Sequence, residues 1–253
     1  MAGTRGFGID VGGSGIKGCV VDLDAGQLDG ERIRIDTPDP STPELVAGVV
    51  REIVDGFGWT GPVGVTLPAV IKRGTALTAA NIDKSWIGTD ATTTFTRKLG
   101  RQPGDVVVLN DADAAGLAEI RYGWPGDQAG VVVLLTFGTG IGSALFLDGK
   151  LVPNTEFGHL EVDGEDAETR AAASVKDELG LSYEEWAHRV SRYIRVLEDL
   201  IWPDLIIAGG GVSRKADKWL PLLDVRTRVV AAELRNDAGI VGAAVAAAED
   251  VVH

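Results

Sequence analysis

Two stretches of the chain share one order of apolar and glycine-rich positions. Residues 6–23 run from an apolar segment through Val11-Gly-Gly-Ser-Gly15 into a second apolar segment, and residues 131–147 do the same through Thr136-Phe-Gly-Thr-Gly-Ile-Gly142. Gly12 and Gly138 lie 126 positions apart, half the length of the 253-residue chain. The repeat predicts two similar domains, each containing a strand, a glycine turn and a second strand. The alternative is a coincidence between two glycine-rich hairpins.

Helix and strand patterns alternate along the rest of the chain. Ser41-Thr-Pro-Glu44 is typical of a capping box, and apolar residues at helical spacing extend that helix to Phe57. The other predicted elements are short buried strands at 62–67, 105–109 and 204–208, and helices at 112–122, 186–201 and 238–251. We therefore predict an α/β fold with mixed sheets. Its domains are a smaller one of residues 1–115 and a larger one of residues 116–237, and the last helix, about 238–253, is a candidate to pack back on the first.

Composition and charge narrow the classes of function. Asp and Glu outnumber Lys and Arg by 37 to 24, a formal charge of −13 that disfavours nucleic-acid binding. Apolar runs fall short of the ~20 residues of a membrane span, and the first residues do not resemble a signal peptide. The single cysteine, Cys19, excludes an internal disulfide. We expect a cytoplasmic protein that binds neither nucleic acid nor a membrane.

Three glycine turns, each after an apolar strand, are candidate phosphate-binding loops. Backbone N–H groups in such turns cradle phosphate oxygens, whereas the alternative is a tight turn without a ligand. The spacing is not that of a P-loop, and a strand rather than a helix follows the first turn. Several such loops favour phosphoryl transfer. The candidate residues are Gly12, Gly13, Ser14, Gly15 and Lys17; Thr136, Gly138, Thr139 and Gly140; and Gly209, Gly210 and Gly211, with Asp10 as a candidate for a hydrated divalent cation.

Two further motifs carry acid–base and hydrogen-bonding groups. Asn110-Asp111-Ala-Asp113 follows a buried strand, where a carboxylate is placed to accept a proton from a hydroxyl; the alternative is a helix N-cap. Glu156-Phe-Gly-His159 offers two groups for sugar hydroxyls, although an isolated Glu-x-x-His is more often a surface loop.

Together, in order and spacing, these motifs resemble the repressor–ORF–kinase (ROK) family of sugar kinases over essentially the whole chain. The resemblance implies an actin/hexokinase-like (ribonuclease H-like) fold with an inter-domain cleft, and a homodimer. It implies that Asp111 is the base for the sugar 6-hydroxyl and that Asn110, Glu156 and His159 bind the sugar. It also implies that Asp10 holds Mg²⁺ through water and that Asp10 and the phosphate loops together bind the phosphoryl donor.

The chain departs from the family pattern after His159. Most members carry a C-x-C-G-x-x-G-C-x-E zinc loop there, whereas residues 160–174 contain no cysteine. Glu168-Thr-Arg-Ala-Ala-Ala fits the family sequence that follows this loop, so Glu168 is expected to bind the sugar as its second glutamate. No zinc is expected.

The chain is most similar to the family members that phosphorylate glucose with inorganic polyphosphate, some of which also use ATP. The similarity rests on the missing loop, on residues 37–43 and on Asn81-Ile-Asp-Lys-Ser-Trp-Ile-Gly88. Asn81 is then a further sugar-site candidate. An ATP-dependent hexose or N-acetylhexosamine kinase is the nearest alternative. A sugar-sensing repressor is disfavoured, because only five residues precede Gly6, too few for a DNA-binding domain. A filament-forming protein of this fold would not need both acid–base motifs.

A polyphosphate groove needs cations, and the candidates are Lys17, Lys72, Arg73, Lys84, Arg97, Lys98 and Arg101.

Overall fold

A computed structural model describes residues 3–124, 126 and 128–249. The chain divides into two compact units, which are described separately: the first contains the described residues up to Tyr122 and from Asp237 onward, and the second is Gly123–Asn236. Each unit contains one mixed sheet, so the predicted α/β class with mixed sheets is confirmed.

The first unit is built on a six-stranded sheet in the order β3-β2-β1-β5-β8, with β4 paired to β2. The β1–β2 pair is antiparallel, whereas β1, β5 and β8 run parallel. The strands of this unit are β1 (Arg5–Val11), β2 (Ile16–Asp22), β3 (Gln27–Leu28), β4 (Ile33–Ile35), β5 (Val63–Leu67), the small pair β6 (Ile71–Lys72) and β7 (Thr75–Ala76), and β8 (Val106–Asn110). Its helices are α1 (Pro43–Gly56), α2 (Ala91–Leu99), α3 (Asp111–Ala118) and the last helix, Ala238–Ala248.

The second unit has a five-stranded sheet that repeats the plan of one hairpin followed by parallel strands. Its order is β11-β10-β9-β14-β15, with β9 antiparallel to β10 and parallel to β14. The strands are β9 (Val131–Phe137), β10 (Ile141–Leu147), β11 (Lys150–Val152), the small pair β12 (Glu161–Val162) and β13 (Glu165–Asp166), β14 (Leu205–Gly209) and β15 (Arg228–Ala231). The helices are α4 (Glu168–Ala171), α5 (Ala173–Glu178) and α6 (Tyr183–Ile201); the last helix of the chain is α7.

Helix α7 belongs to the first unit because three glycines allow its backbone to approach closely. A Cβ on Gly8 would lie 1.8 Å from the carbonyl oxygen of Ile240, and one on Gly64 would lie 1.8 Å from that of Ala243. A Cβ on Gly242 would lie 1.7 Å from the Ala114 oxygen of α3. Any side chain at these positions would separate α7 from β1, β5 and α3.

Two details of the sequence interpretation are corrected by the structure. The predicted boundary at residue 115 lies inside α3, whereas the division between the units comes after Tyr122. The whole of α3 belongs to the first unit because it packs on α7. The predicted capping box is wrong: Thr42 is the N-cap of α1 and makes no side-chain cap bond. The two residues of the predicted capping box have other partners, since Ser41 Oγ accepts from the Asp83 N–H and Glu44 pairs with Lys98.

Among the described residues, no helix is both long and apolar enough to cross a membrane.

Candidate active site

The first glycine turn, residues 12–15, connects β1 to β2. The Gly12 N–H donates to the Gly15 carbonyl across the turn (3.1 Å), and Thr37 Oγ1 donates to the Gly12 carbonyl (2.6 Å). A Cβ on Gly13 would lie 3.1 Å from Cβ of Asn81. The structure therefore brings the sugar-site candidate Asn81 against the first turn.

Asp10, at the end of β1, is held by two side chains of the same unit. Its Oδ1 accepts from Thr66 Oγ1 (3.1 Å) and its Oδ2 pairs with Lys17 Nζ (3.3 Å). Thr66 Oγ1 in turn accepts from the Val11 N–H (3.2 Å). Each carboxylate oxygen keeps a lone pair beyond its single protein bond, so this hard oxygen donor fits a hydrated Mg²⁺.

Arg34 is a residue of this turn that the sequence analysis missed. Its Nη2 donates to the Ser14 carbonyl (3.0 Å), and its Nη1 pairs with Asp36 (2.6 Å). A Cβ on Gly15 would lie 2.7 Å from Arg34 Nη2, so the absence of a side chain at Gly15 makes room for the guanidinium. No sequence motif indicates this contact, because Arg34 reaches the turn only through the pairing of β4 with β2, where Arg34 faces Lys17.

Asn110 and Asp111 stand at the same edge of the sheet as Asp10. Parallel pairing places Asp10 opposite Thr66 and Leu67 opposite Asn110, so the carboxyl ends of β1, β5 and β8 meet at one edge. Asn110 is the N-cap of α3: its Oδ1 accepts from the Ala112 N–H (2.8 Å), and its Nδ2 donates to the Ala69 carbonyl (3.1 Å).

The helix N-cap that the sequence offered as an alternative is thus confirmed for Asn110. Asp111 is exposed in the first turn of α3, where the helix dipole favours negative charge.

In the second unit, the second and third glycine turns lie side by side. Gly138 N–H donates to the Gly140 carbonyl (2.9 Å), and Ser174 binds the same turn through its N–H to Gly138 O (3.0 Å) and its Oγ to Thr139 O (2.8 Å). Gly209 of β14 faces Thr136 of β9. Gly210 has φ +83°, and a Cβ there would lie 2.2 Å from Phe137 O, so this position requires glycine.

Glu168 fills the space behind the second turn. Its Oε2 accepts from the Ile141 N–H (3.1 Å), and a Cβ on Gly140 would lie 2.2 Å from the same oxygen. The short helix α4 that carries Glu168 is anchored at its other end, where the buried Trp186 Nε1 donates to the carbonyls of Ala171 and Ala172 (3.0 and 3.2 Å). Trp186 is fixed in turn by edge contacts with Phe137 and Trp219.

Glu156 precedes, and His159 ends, a tight helical turn that packs directly on β10. A Cβ on Gly158 would lie 2.0 Å from the Ile141 carbonyl, and the Phe157 N–H donates to Ser143 Oγ (2.9 Å). His159 Nδ1 lies 2.9 Å from Asp166 Oδ2 and 3.9 Å from Glu168 Oε1. The predicted sugar-binding residues of this unit, His159 and Glu168, are thus brought together.

Charge and solvation shift two of these groups. More than a third of Glu156 is accessible, yet partial desolvation of its carboxyl group raises its pKa; His159 opposes this and Glu168 adds to it. The hydrogen bond to Asp166 raises the pKa of His159, against a smaller opposite effect of burial and with further support from the charges of Glu168, Asp166 and Glu156.

His159, Asp166 and Glu168 also form a group that could hold a metal ion, since one ligand atom of each lies within 4.8 Å of the others. One imidazole and two carboxylates are suitable donors for several divalent metals. The expected absence of zinc stays a prediction.

The cations predicted for a polyphosphate groove lie in different environments. Lys84 Nζ donates to the Ala79 carbonyl (2.5 Å), Lys98 pairs with Glu44 (2.5 Å) and Arg101 donates to the Thr60 (2.6 Å) and Trp59 carbonyls, so these three cations serve the protein itself. Lys72, Arg73 and Arg97 are exposed. The cations that the structure brings to the first turn are Lys17 and Arg34.

With this geometry established, comparison with known proteins identifies the class. The ROK family model matches residues 6–178, so the chain belongs to the ROK family. The chain is 62% identical over 249 residues to a polyphosphate glucokinase of Mycobacterium tuberculosis, covering 98% of this chain and 93% of that protein.

Two solved structures show the same fold. An inorganic polyphosphate/ATP-glucomannokinase from Arthrobacter sp. strain KM matches with a TM-score of 0.91 and 51% identity, covering 98% of this chain and 99% of that one. A ROK family glucokinase from Streptomyces griseus, solved with glucose and AMPPNP, matches with a TM-score of 0.79 and 25% identity over 98% and 99% of the two chains.

Proposed function

We propose that the protein is a polyphosphate-dependent glucokinase, which transfers the terminal phosphoryl group of inorganic polyphosphate to the 6-hydroxyl of glucose. The observation that carries this proposal is the near-full-length identity to a polyphosphate glucokinase. The site supports it, since phosphoryl transfer needs positioned phosphate loops and a base rather than a covalent protein group.

In the proposed reaction, Asp111 is the general base. The oxygen of the 6-hydroxyl attacks the terminal phosphorus while its proton moves to the Asp111 carboxylate. The bond from phosphorus to the bridging oxygen breaks, and the shortened polyphosphate leaves with the electron pair. A hydroxyl is far too weak an acid to ionise at neutral pH, so a positioned base contributes roughly 10²–10⁴-fold.

The sugar is held by hydrogen bonds from side chains that the fold orients. In this proposal Glu156, His159 and Glu168 bind sugar hydroxyls, and Asn110 is a further candidate, whose amide has an N–H beyond the one that donates to the Ala69 carbonyl. Asn81 lies against the first glycine turn and is the weaker candidate of this set.

The donor is held by the three glycine turns and by Lys17 and Arg34. A Cβ placed on Gly138 or Gly211 would meet no heavy atom of the described residues within 4 Å beyond the neighbouring backbone, so the protein leaves space beside these two glycines. ROK sugar kinases typically use a divalent metal with the donor. Asp10 is the residue that would hold Mg²⁺ through water, and the ion would neutralise charge on the transferred phosphoryl group.

An assay of glucose phosphorylation with polyphosphate or ATP as donor tests the function. We expect polyphosphate to be used, with a KM that falls as the chain lengthens and rises with salt from ~50 to ~300 mM, because charges are screened within roughly 8–10 Å. ATP, with three phosphates, should respond less to salt. Equal salt slopes and no dependence on chain length would instead favour an ATP-dependent hexose kinase. Assembly as a homodimer is a further proposal from the family resemblance.

A further inference from the structure

We infer that Asp166 is a positioning residue for glucose, which fixes His159 and Glu168 with one carboxylate. The inference rests on the proposed roles of His159 and Glu168 in sugar binding. Asp166 ends the small hairpin β12–β13 and stands two residues before Glu168. Its two carboxylate oxygens contact two of the proposed sugar-binding residues, His159 and Glu168, here called the sugar set.

The first oxygen sets the tautomer of His159. Asp166 Oδ2 lies 2.9 Å from His159 Nδ1. An ionised carboxylate can only accept, so Nδ1 must carry the hydrogen, and the lone pair of neutral His159 is then on Nε2. Fixing the ring in this way directs Nε2 as the acceptor for a sugar hydroxyl, just as an outer carboxylate orients a metal-bound histidine.

The second oxygen sets the start of α4. Asp166 Oδ1 accepts from the Glu168 N–H (3.1 Å), and the Asp166 carbonyl accepts from Thr169 Oγ1 (2.7 Å). These bonds hold the first turn of α4, from which the Glu168 side chain reaches the Ile141 N–H behind the second glycine turn. Movement of Asp166 would therefore displace both His159 and Glu168.

The hairpin that carries Asp166 is secured independently, which provides a matched control. Asp163 in its turn pairs with Arg192 of α6 through two contacts, 2.7 Å from Nη2 and 3.2 Å from Nε. Asp163 and Asp166 thus share a hairpin and a charge, but only Asp166 contacts the sugar set. Asp163→Asn removes the same charge from the same hairpin.

The test is glucose binding by calorimetry without donor, on wild type, Asp166→Asn and Asp163→Asn. Asparagine has one acceptor oxygen and a donor NH₂, so it cannot accept from both His159 and Glu168. We expect Asp166→Asn to weaken glucose binding by about tenfold to a hundredfold, the effect of losing a bond to a charged group. Asp163→Asn should leave binding unchanged, and the KM for polyphosphate should stay the same in both variants.

Nitrogen NMR of the wild type gives a readout that does not depend on variant folding. The chain has three histidines, so the resonances of His159 are assignable. The expected neutral form carries its hydrogen on Nδ1, as the contact of 2.9 Å with Asp166 Oδ2 requires.

Three results would overturn the inference: an Nε2–H tautomer in the wild type, equal loss of glucose binding in Asp163→Asn, or glucose binding lost on chelation and restored by zinc. The last would make the cluster a metal centre rather than a hydrogen-bonded pair. A wild type that does not bind glucose would contradict the proposed function, while the tautomer would still decide whether Asp166 fixes His159.

Discussion

The two sheets share a plan but differ in the groups that stand behind their glycine turns. The turn of the first unit spans residues 12–15, and the absent side chain at Gly15 makes room for the guanidinium of Arg34. The turn of the second unit is one residue shorter, and the absent side chain at Gly140 makes room for the carboxylate of Glu168. One hairpin design thus accommodates a cation in the first unit and an anion in the second.

This difference shows that the glycines of the two turns serve more than one purpose. The sequence pattern predicts that they let a ligand approach the backbone, but the absence of a side chain at Gly15 and Gly140 makes room for Arg34 and Glu168 of the protein itself. Among the glycines of the three candidate phosphate turns, Gly138 and Gly211 have open space at the position of a side chain. The first turn thus has positive charge beside it, from Lys17 and Arg34, whereas the second unit combines carboxylates with the two glycines that leave space beside their backbone.

The largest expected effect tests the division between base and sugar ligands. Asp111→Asn keeps the size of the side chain but removes the proton acceptor, so kcat should fall by roughly 10²–10⁴-fold with glucose affinity nearly unchanged. Glu168→Gln should instead raise the KM for glucose. Steady-state kinetics with calorimetry of glucose measures both.

Asp90→Asn is the control, because Asp90 caps α2 and Asn is an equally good cap. If Asp111→Asn kept more than about a tenth of the wild-type kcat, Asp111 would not be the base.

The second glycine turn offers a test in which two alanine substitutions should affect different substrates. Gly140→Ala would place a Cβ 2.2 Å from Glu168 Oε2 and push that side chain away, so the KM for glucose should rise by about tenfold or more. Gly138→Ala adds a methyl where the protein leaves space, so it should raise the KM for the donor instead. Equal effects on both substrates would contradict the assignment of Gly140 to Glu168.

Local pattern was sufficient to predict the framework of these turns. Both hairpins, the helix ending at Ile201 and the strand before Gly210 follow from apolar runs bounded by glycine or by helical spacing. The capping box failed because Ser41 and Glu44 found tertiary partners, Asp83 and Lys98. A local motif predicts a cap only when nothing distant competes for its side chains.

Candidate site residues could be named from the sequence where they belong to compact motifs, but not where strand pairing brings residues together. Glu156 and His159 sit in one turn, and Asn110 and Asp111 are neighbours, so sequence reveals both pairs. Arg34 reaches the first turn only through the register of β4 on β2. Asp166 has no sequence signal either, because its contact with His159 requires the fold of β12 and β13.

Arg34 gives a test of the first turn with an effect of intermediate size. Arg34→Gln removes a cation at the Ser14 carbonyl, so the KM for polyphosphate should rise severalfold and its dependence on salt should weaken. Arg32→Gln is the matched control, because Arg32 is two residues away and pairs with Asp237 (2.6 Å). If Arg32→Gln had the same effect, the loss would report overall charge rather than a donor contact.

The smallest expected effect concerns pH and the second unit alone. Desolvation raises the pKa of Glu156, so its carboxylate gains a proton at a higher pH than an ordinary glutamate, whose reference value is 4.5. As the pH decreases, His159 gains its proton first and its Nε2 stops accepting, which weakens glucose binding in a first limb. A protonated carboxyl accepts fewer hydrogen bonds from sugar hydroxyls, so glucose affinity should fall again in a second, lower limb as the pH decreases through the raised pKa of Glu156. Calorimetry from pH 7 down to the limit of folding, followed by circular dichroism, measures the profile. Glu156→Gln should bind glucose more weakly, lose the lower limb and keep the limb of His159, whereas Glu168→Gln should retain both. A lower limb that persists unchanged in Glu156→Gln would assign that titration to another group.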